Sequence, residues 1–167
     1  LNEAGISASG AFLDHALRMH PAGPLPFEVL EQELAKLGPD ATARAADRHW
    51  QPNVLGNRAP LADPTLTGGT AGVRMRDDIE DLALWYLAAL QSLAYASRHI
   101  VDALRDAGRA VDLLIACGGS AANAWWLQTH ADALGLPVAR PEEPDAVLLG
   151  AAMLGATAAG VHPSLEA

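Results

Sequence analysis

The segment CGGSAANAWW, from Cys117 to Trp126, contains the residue types best suited to bind a ligand. Glycine lets the backbone approach a ligand closely, and the free amides and dipole at a helix start favour an anion. Gly118 and Gly119 could therefore line a phosphate, with Ser120 as a helix cap. The amide of Asn123 can both donate and accept, as recognition of a ribose or a base requires. A tight turn without a ligand remains the alternative.

Other residues near this turn give weaker indications. The segment matches neither GxxxxGK[ST] nor GxGxxG. Trp125 and Trp126 could stack on a base, although packing in the core is the preferred interpretation. We expect His130 to lie at the surface or to be hydrogen-bonded in place, and Cys117 to be buried as a small hydrophobic residue. The six histidines show no spacing typical of metal ligands, so no metal site is predicted.

The glycine turn lies within a pattern typical of a strand–helix–strand unit. The apolar run Val111–Cys117 predicts a buried parallel strand, followed by a helix over Ser120–Ala133. A short strand is predicted at Pro137–Arg140 and a helix rich in glycine and alanine at Asp145–Ala159. This order predicts an α/β fold with a parallel sheet.

The first two thirds of the chain read as mainly helical. Helices are predicted at Ser9–His20 and Phe27–Leu37, and an edge strand at His49–Leu55, where Pro52 limits pairing. Residues 56–72 read as a long loop. Asp77–Ala107 is the strongest helix: acidic residues at its start complement the helix dipole, and its centre is apolar nearly all round, which predicts burial on more than one side.

Composition bounds the class of protein. The 167 residues include 20 acidic and 11 basic side chains, and a net charge of −9 argues against a nucleic-acid surface. A single cysteine excludes a disulfide within the chain. The first residues do not resemble a signal peptide, and no apolar stretch is long enough to span a bilayer. These features predict a soluble, cytoplasmic protein without a membrane partner.

Several segments together resemble a known family. These are GISASGAFLDH near the start, GNRAPLADPTLTGGTAGV after residue 55, and CGGSAANAWWLQTHADALGLPVARPEEPDAVLLGAA from Cys117. They are similar, in order and spacing, to the C-terminal domain of the FGGY carbohydrate kinases, in particular to the branch of D-ribulokinases and ribitol-kinase-like proteins. In that branch the loop reads GNRSPLADP and the glycine turn CGGLxKNP. The resemblance covers nearly the whole chain.

The resemblance implies a ribonuclease-H-like (actin-like ATPase) fold and a two-domain kinase with a cleft between its domains. Such kinases transfer the γ-phosphate of ATP, with Mg²⁺, to a hydroxyl of a sugar or polyol. The second domain supplies most of the nucleotide site, and the sugar is held mainly by the N-terminal domain. Asn57 and Arg58 would lie on a loop near the cleft. The nucleotide-binding residues would be Gly118, Gly119, Ser120 and Asn123.

The chain departs from the family pattern at the glycine turn. Ala122 stands where this branch usually has lysine, and Ala124 where it often has proline. The lysine's loss would weaken a nucleotide contact, although glycerol kinases also carry alanine there. Ser120 replaces a common leucine and would adjust the helix cap.

The resemblance also implies that residues 1–167 are a partial domain. The family's catalytic aspartate is expected upstream of Leu1, as are the sugar-binding domain and the opening strands of this domain's own sheet. We therefore expect the chain to be inactive alone and to expose a sheet edge and an apolar face that favours homo-oligomers. The alternative is a stand-alone, non-catalytic domain that oligomerises or binds a partner. Which sugar or polyol is phosphorylated does not follow from these residues.

Overall fold

A computed structural model describes residues 4–143 and 145–165. Within them the chain forms helices and short strands that follow the predicted order, with additional short elements. The helices are α1 (Ser9–Arg18), α2 (Phe27–Leu37), α3 (Asp40–Arg44), α4 (Ile79–Asp106), α5 (Ala124–Leu134) and α6 (Ala146–Ala158). The strands are β1 (His49–Gln51), β2 (Gly69–Ala71), β3 (Leu114–Ile115) and β4 (Val138–Ala139).

Helix α4 is the centre of the molecule. The carboxylate of Asp78 caps it by accepting a hydrogen bond from the Asp81 amide at 2.9 Å. Every residue from 81 to 94 is buried, because α1, α2, α5 and β1 pack around this stretch. The indole of Trp85 fixes α1 in place by donating to the Ala16 carbonyl at 2.8 Å. The predicted burial on more than one side is confirmed.

Strands β1 and β2 form an antiparallel pair in which Trp50 lies opposite Thr70. The predicted edge strand at His49–Leu55 is therefore shorter than expected and ends before Pro52, which has no amide to donate to a ladder. The prediction of an unbroken loop over residues 56–72 is wrong at Gly69–Ala71. This Gly-Thr-Ala triplet carries no hydrophobic alternation, so its pairing with β1 is set by tertiary structure.

Strands β3 and β4 pair in parallel, with Leu114 opposite Val138 and Ile115 opposite Ala139. The predicted strand–helix–strand unit is thereby confirmed. The predicted strand Val111–Cys117 is reduced to two residues, however, and its burial is wrong: Ile115 is 62% exposed, and the Cys117 thiol is also exposed. The physical reason is that β3 has only β4 beside it in the described part of the chain.

Helix α6 has no buried residue among those described. Its large apolar side chains are exposed, as the partial domain led us to expect. They are Val147, Leu148, Leu149, Met153 and Leu154. Despite this composition, no described helix is both long and apolar enough to cross a membrane.

Candidate functional site

The glycine turn joins β3 to α5 through backbone that only glycine adopts easily. Gly118 has a φ of 79°, where a side chain would be strained. A short 3₁₀ helix over Gly119–Ala122 follows, and α5 begins at Ala124. The prediction that the helix starts at Ser120 is therefore wrong. Asn123 is in extended conformation and caps α5 by accepting from the Trp126 amide at 2.7 Å.

The other end of the Asn123 side chain holds α5 against α4. Its amide nitrogen donates to the hydroxyl of Tyr86, a fully buried residue of α4, at 2.6 Å. Burial raises the pKa of Tyr86, so this hydroxyl stays protonated at neutral pH. Asn123 thus has a structural role whether or not it also contacts a ligand.

A cavity of about 430 Å³ lies between the glycine turn, α1, α2 and α4. Gly119, Ser120 and Asn123 line it, so the structure brings three of the four predicted nucleotide residues to one wall. A β-carbon added at Gly119 would meet no atom within 4 Å, so its backbone faces open space. The opposite walls are formed by Gly10, Leu13, Phe27, Glu28, Glu31 and Tyr86.

The cavity has an aromatic wall and an acidic wall. Phe27 stacks on Tyr86 with ring centroids 5.5 Å apart and an interplanar angle of 16°. Burial and the neighbouring Glu28 both raise the pKa of Glu31. Carboxylates accept hydrogen bonds from hydroxyl or amino groups and repel phosphates. A ligand's anionic part therefore fits at the glycine end, away from the two glutamates.

A second cavity, of about 550 Å³, lies on the other side of the same turn. It is lined by Gly118 rather than by Asn123, together with Cys117, Arg140 and Glu142. Arg140 reaches back to the turn, with a guanidinium nitrogen 3.4 Å from the Ala121 carbonyl oxygen. The two glycines thus separate two concave surfaces, and Gly119 belongs to the one with the aromatic wall.

Asn57 and Arg58 lie elsewhere, and neither lines a cavity at the glycine turn. Asn57 organises its own loop: its side-chain oxygen accepts from the Leu61 amide at 2.9 Å, and its amide nitrogen donates to Asn53 at 3.2 Å. Its backbone amide also donates to the Asp63 carbonyl at 2.7 Å. Arg58 is exposed and lies beside Gly5. The structure does not bring this loop together with the glycine turn.

The aromatic and histidine side chains of α5 have structural roles. Trp125 and Trp126 pack against the core, as predicted. Trp126 also stacks on His130 with ring centroids 3.6 Å apart, and Nδ1 of His130 donates to the Trp126 carbonyl at 2.9 Å. Burial lowers the pKa of His130, which keeps the ring neutral. His130 is therefore hydrogen-bonded in place.

Sequence reasoning missed the walls contributed by α2 and α4. Phe27, Glu28, Glu31 and Tyr86 were read only as helix residues, because nothing in their spacing points towards a turn that lies about 30 to 90 residues later in the chain. Sequence reasoning also missed a buried hydrogen-bond network at the start of α4, in which Asp81 accepts from Arg48 and His20. In residues 4–143 and 145–165, no group of three or more His, Cys, Asp or Glu side chains could hold a metal ion.

Comparison with known proteins gives consistent results. The family model described as "FGGY family of carbohydrate kinases, C-terminal domain" matches residues 1–159. An "FGGY carbohydrate kinase domain-containing protein" from Danio rerio is 42% identical over 172 residues, which cover 95% of this chain and 32% of the relative. A D-ribulokinase from Saccharomyces cerevisiae is 32% identical over 93% of this chain and 24% of its own length.

Solved structures show the same fold. A Plasmodium falciparum glycerol kinase with ADP superimposes with a TM-score of 0.69, covering 96% of this chain and 30% of that one, at 19% identity. At this identity the similarity shows the fold, which is the actin-like ATPase fold, and does not show a substrate. The chain thus spans about a quarter to a third of the length of these proteins.

Proposed function

Because the chain belongs to the FGGY family of carbohydrate kinases, we propose that it forms part of the nucleotide site of an ATP-dependent kinase. The kinase would phosphorylate a hydroxyl of a pentulose or pentitol such as ribulose or ribitol. The observation that carries the proposal is that Gly119, Ser120 and Asn123 line one cavity with an aromatic and an acidic wall. The D-ribulokinase among the relatives supports the pentulose class.

In this proposal the adenosine lies against Phe27, and the phosphates lie at Gly119 and extend across the turn towards Gly118, which lines the second cavity. The carboxylates of Glu28 and Glu31 accept hydrogen bonds from the ribose hydroxyls or from the amino group of the base. This orientation is supported by charge, since the reverse would place phosphates beside two carboxylates. Asn123 reaches the ribose or the base from the edge of the cavity while it caps α5.

The residues that line the cavity fit ATP, but they do not include a cluster of ligands for Mg²⁺. The open space in front of Gly119 admits a nucleotide, whereas the described residues contain no cluster of metal ligands. In this proposal Mg²⁺ is held mainly by phosphate oxygens, as is usual for this ion, and when bound it neutralises charge on the transferred phosphoryl group. The catalytic base and the sugar site belong to the rest of the kinase, so this chain binds nucleotide without turnover.

Calorimetric titration of the chain with ATP and Mg²⁺ tests the site. We expect Gly119→Leu to weaken binding tenfold or more, by placing a side chain where the nucleotide approaches, without loss of stability, because this position has free space. Gly69→Leu is the matched control, since an added β-carbon there also meets no atom within 4 Å and the residue lies outside the cavity.

A second variant separates the two roles of Asn123. Asn123→Ser keeps an oxygen that can cap α5 but removes the amide, so it should weaken ATP binding, and it should also lower the melting temperature because the buried Tyr86 hydroxyl loses its partner. Unchanged affinity in both Gly119→Leu and Asn123→Ser would refute the assignment, as would the absence of ATP and ADP binding to the wild-type chain.

The second candidate function is a non-catalytic domain that oligomerises or binds a partner. The exposed apolar side chains of α6 favour it. A chain that self-associates through α6 but binds no nucleotide would support this candidate over the kinase. We also infer a cytoplasmic location, which the unpaired and exposed Cys117 supports.

A further inference from the structure

A pair of adjoining cavities lies on the side of α4 turned away from the glycine turn. Their volumes are about 300 Å³ and 190 Å³, and both are lined by Trp50, Ser92 and Tyr95. Tyr95 follows Tyr86 by nine residues, which places the two side chains on opposite sides of the helix. Neither cavity shares a lining residue with those at the glycine turn.

Two buried amides border these cavities with unused hydrogen-bonding groups. Gln91 is only 9% exposed, and no described residue bonds to its side chain. Asn53 is 8% exposed; its side-chain oxygen accepts from Asn57 at 3.2 Å, while its amide nitrogen donates to no described residue. Both amides are open to solvent through the cavities, since the Trp50 indole nitrogen is the one fully enclosed and unpaired side-chain group among the described residues. A bound molecule with hydroxyl groups can take the place of that solvent.

Trp50 adds an apolar wall. One side of its ring system packs against the core, with ring centroids 4.7 Å from Trp85 and 5.5 Å from Phe12. Its indole N–H is buried and has no hydrogen-bond partner among the described residues. Trp50 lines both cavities while its indole nitrogen is enclosed, so it offers a ligand an apolar ring surface.

The absence of charge decides the class of ligand. No Asp, Glu, Lys or Arg lines the larger cavity. In the smaller one, the guanidinium of Arg48 is already paired with Asp47 and Asp81. A cationic ligand would meet no carboxylate in either lining, and an anionic one only the imidazoles of His49 and His99, so an ionic ligand would lose its hydration for little compensating charge. Amide groups that donate and accept, beside exposed aromatic and apolar side chains, suit a molecule with several hydroxyls and C–H faces.

We propose that this cavity pair is a second binding site, for a small uncharged sugar or polyol. The amides of Gln91 and Asn53 bond the ligand's hydroxyls, and the rings of Trp50 and Tyr95 cover its C–H face. The ligand is bound and not chemically changed. The site is separate from the nucleotide cavity and stands without the function proposed above.

Titration of the full chain with ribitol, followed by ligand-observed NMR and calorimetry, tests the site. We expect saturable binding of ribitol, and binding of gluconate, a charged polyol, at least tenfold weaker. Gln91→Leu should weaken ribitol binding about tenfold through loss of buried hydrogen bonds. It should not lower the melting temperature, since the amide it removes has no partner. The matched control is Gln128→Leu, whose amide lies on α5 and bonds Asp132 at 2.7 Å.

Tyr95→Ala is the second variant, because Tyr95 is exposed and its loss leaves the core intact. It should also weaken ribitol binding, and saturating ATP should leave the wild-type affinity for ribitol unchanged. The proposal is overturned if ribitol shows no saturable binding, if neither Gln91→Leu nor Tyr95→Ala weakens it, or if ATP displaces it.

Discussion

At the scale of single residues, the carboxylate of Asp81 is the centre of a buried hydrogen-bond network. It accepts from the guanidinium of Arg48 and from Nε2 of His20, the latter at 3.2 Å. Nδ1 of His20 accepts from the Ala22 amide at 3.2 Å, which assigns the ring proton to Nε2. The sequence explained Asp81 only as a complement to the helix dipole. The structure shows that it also joins α4 to the segments before α2 and before β1.

Removal of the Asp81 charge should destabilise the fold strongly. Asp81→Asn leaves the buried guanidinium of Arg48 with only the exposed carboxylate of Asp47 as a counter-charge, so we expect the free energy of unfolding to fall by about 3–5 kcal/mol. Urea denaturation measures this change. Asp77→Asn, at an exposed position on the same side of the helix start, should change stability by less than about 0.5 kcal/mol. Equal losses in the two variants would contradict the role of the network.

The same network fixes the direction of the pH dependence. Burial raises the pKa of Asp81, but hydrogen bonds from His20 and Arg48 outweigh it, and the net pKa lies below the unfolded value of 3.8. The stabilisation is therefore present above pH 3.8 and is lost as the pH falls through the lower folded pKa. Below pH 4 the free energy of unfolding should fall more steeply in the wild-type chain than in Asp81→Asn.

At the scale of elements, the β1–β2 pair depends on one close backbone approach. Gly72, directly after β2, has a φ of 79°, and a β-carbon built there would lie 1.9 Å from the Asp47 carbonyl oxygen. No side chain fits this position without a shift of the backbone. The pair also carries Trp50, so its position controls the wall of the cavities beside α4.

Gly72→Ala should therefore lower the free energy of unfolding by more than about 1 kcal/mol, through strain at positive φ together with the clash. Thermal unfolding followed by circular dichroism measures the effect. Gly69→Ala, three residues before Gly72, is the control. A β-carbon at Gly69 meets no atom within 4 Å, so this change should leave the melting temperature unchanged or slightly raised. If Gly72→Ala does not change the free energy of unfolding, the backbone at Asp47 shifts at little cost and the prediction is wrong.

At the scale of the whole molecule, charge and apolar surface act in opposite directions. A net charge of −9 favours separation of the chains. Helix α6 and strand β3, however, each expose large apolar side chains, including Ile115, Val147 and Leu154. Since exposed apolar surface of this kind drives association, we expect the isolated chain to self-associate and to do so more strongly at high salt.

Two lysines on one side of α6 should suppress this association. Val147 and Leu154 are seven residues apart and lie on the same side of the helix. In sedimentation experiments the wild-type chain should exceed the monomer mass of 17.4 kDa, whereas Val147→Lys with Leu154→Lys should approach it. Met75→Lys, at a fully exposed site outside α6, should behave as the wild type. A monomeric wild-type chain would refute the expectation.

Local patterns were enough to predict the main helices and the strand–helix–strand unit. Helix α4 was evident because its caps, acidic start and long apolar centre all lie within one segment. The strand Val111–Cys117 was overestimated, because an apolar run indicates burial only when other strands are present to cover it. The β1–β2 pair was missed, since one of its strands is a triplet of small residues.

For the candidate site, the sequence by itself determined the family and the glycine turn, and it led to the prediction that Gly118, Gly119, Ser120 and Asn123 bind the nucleotide. These depend on residues close together in the chain. Only the tertiary structure decided that Asn123 is a helix cap bonded to Tyr86, that α2 supplies the acidic wall, and that Asn57 lies apart. The reason is that a cavity is bounded by residues distant in sequence, whose meeting is set by how the helices pack around α4.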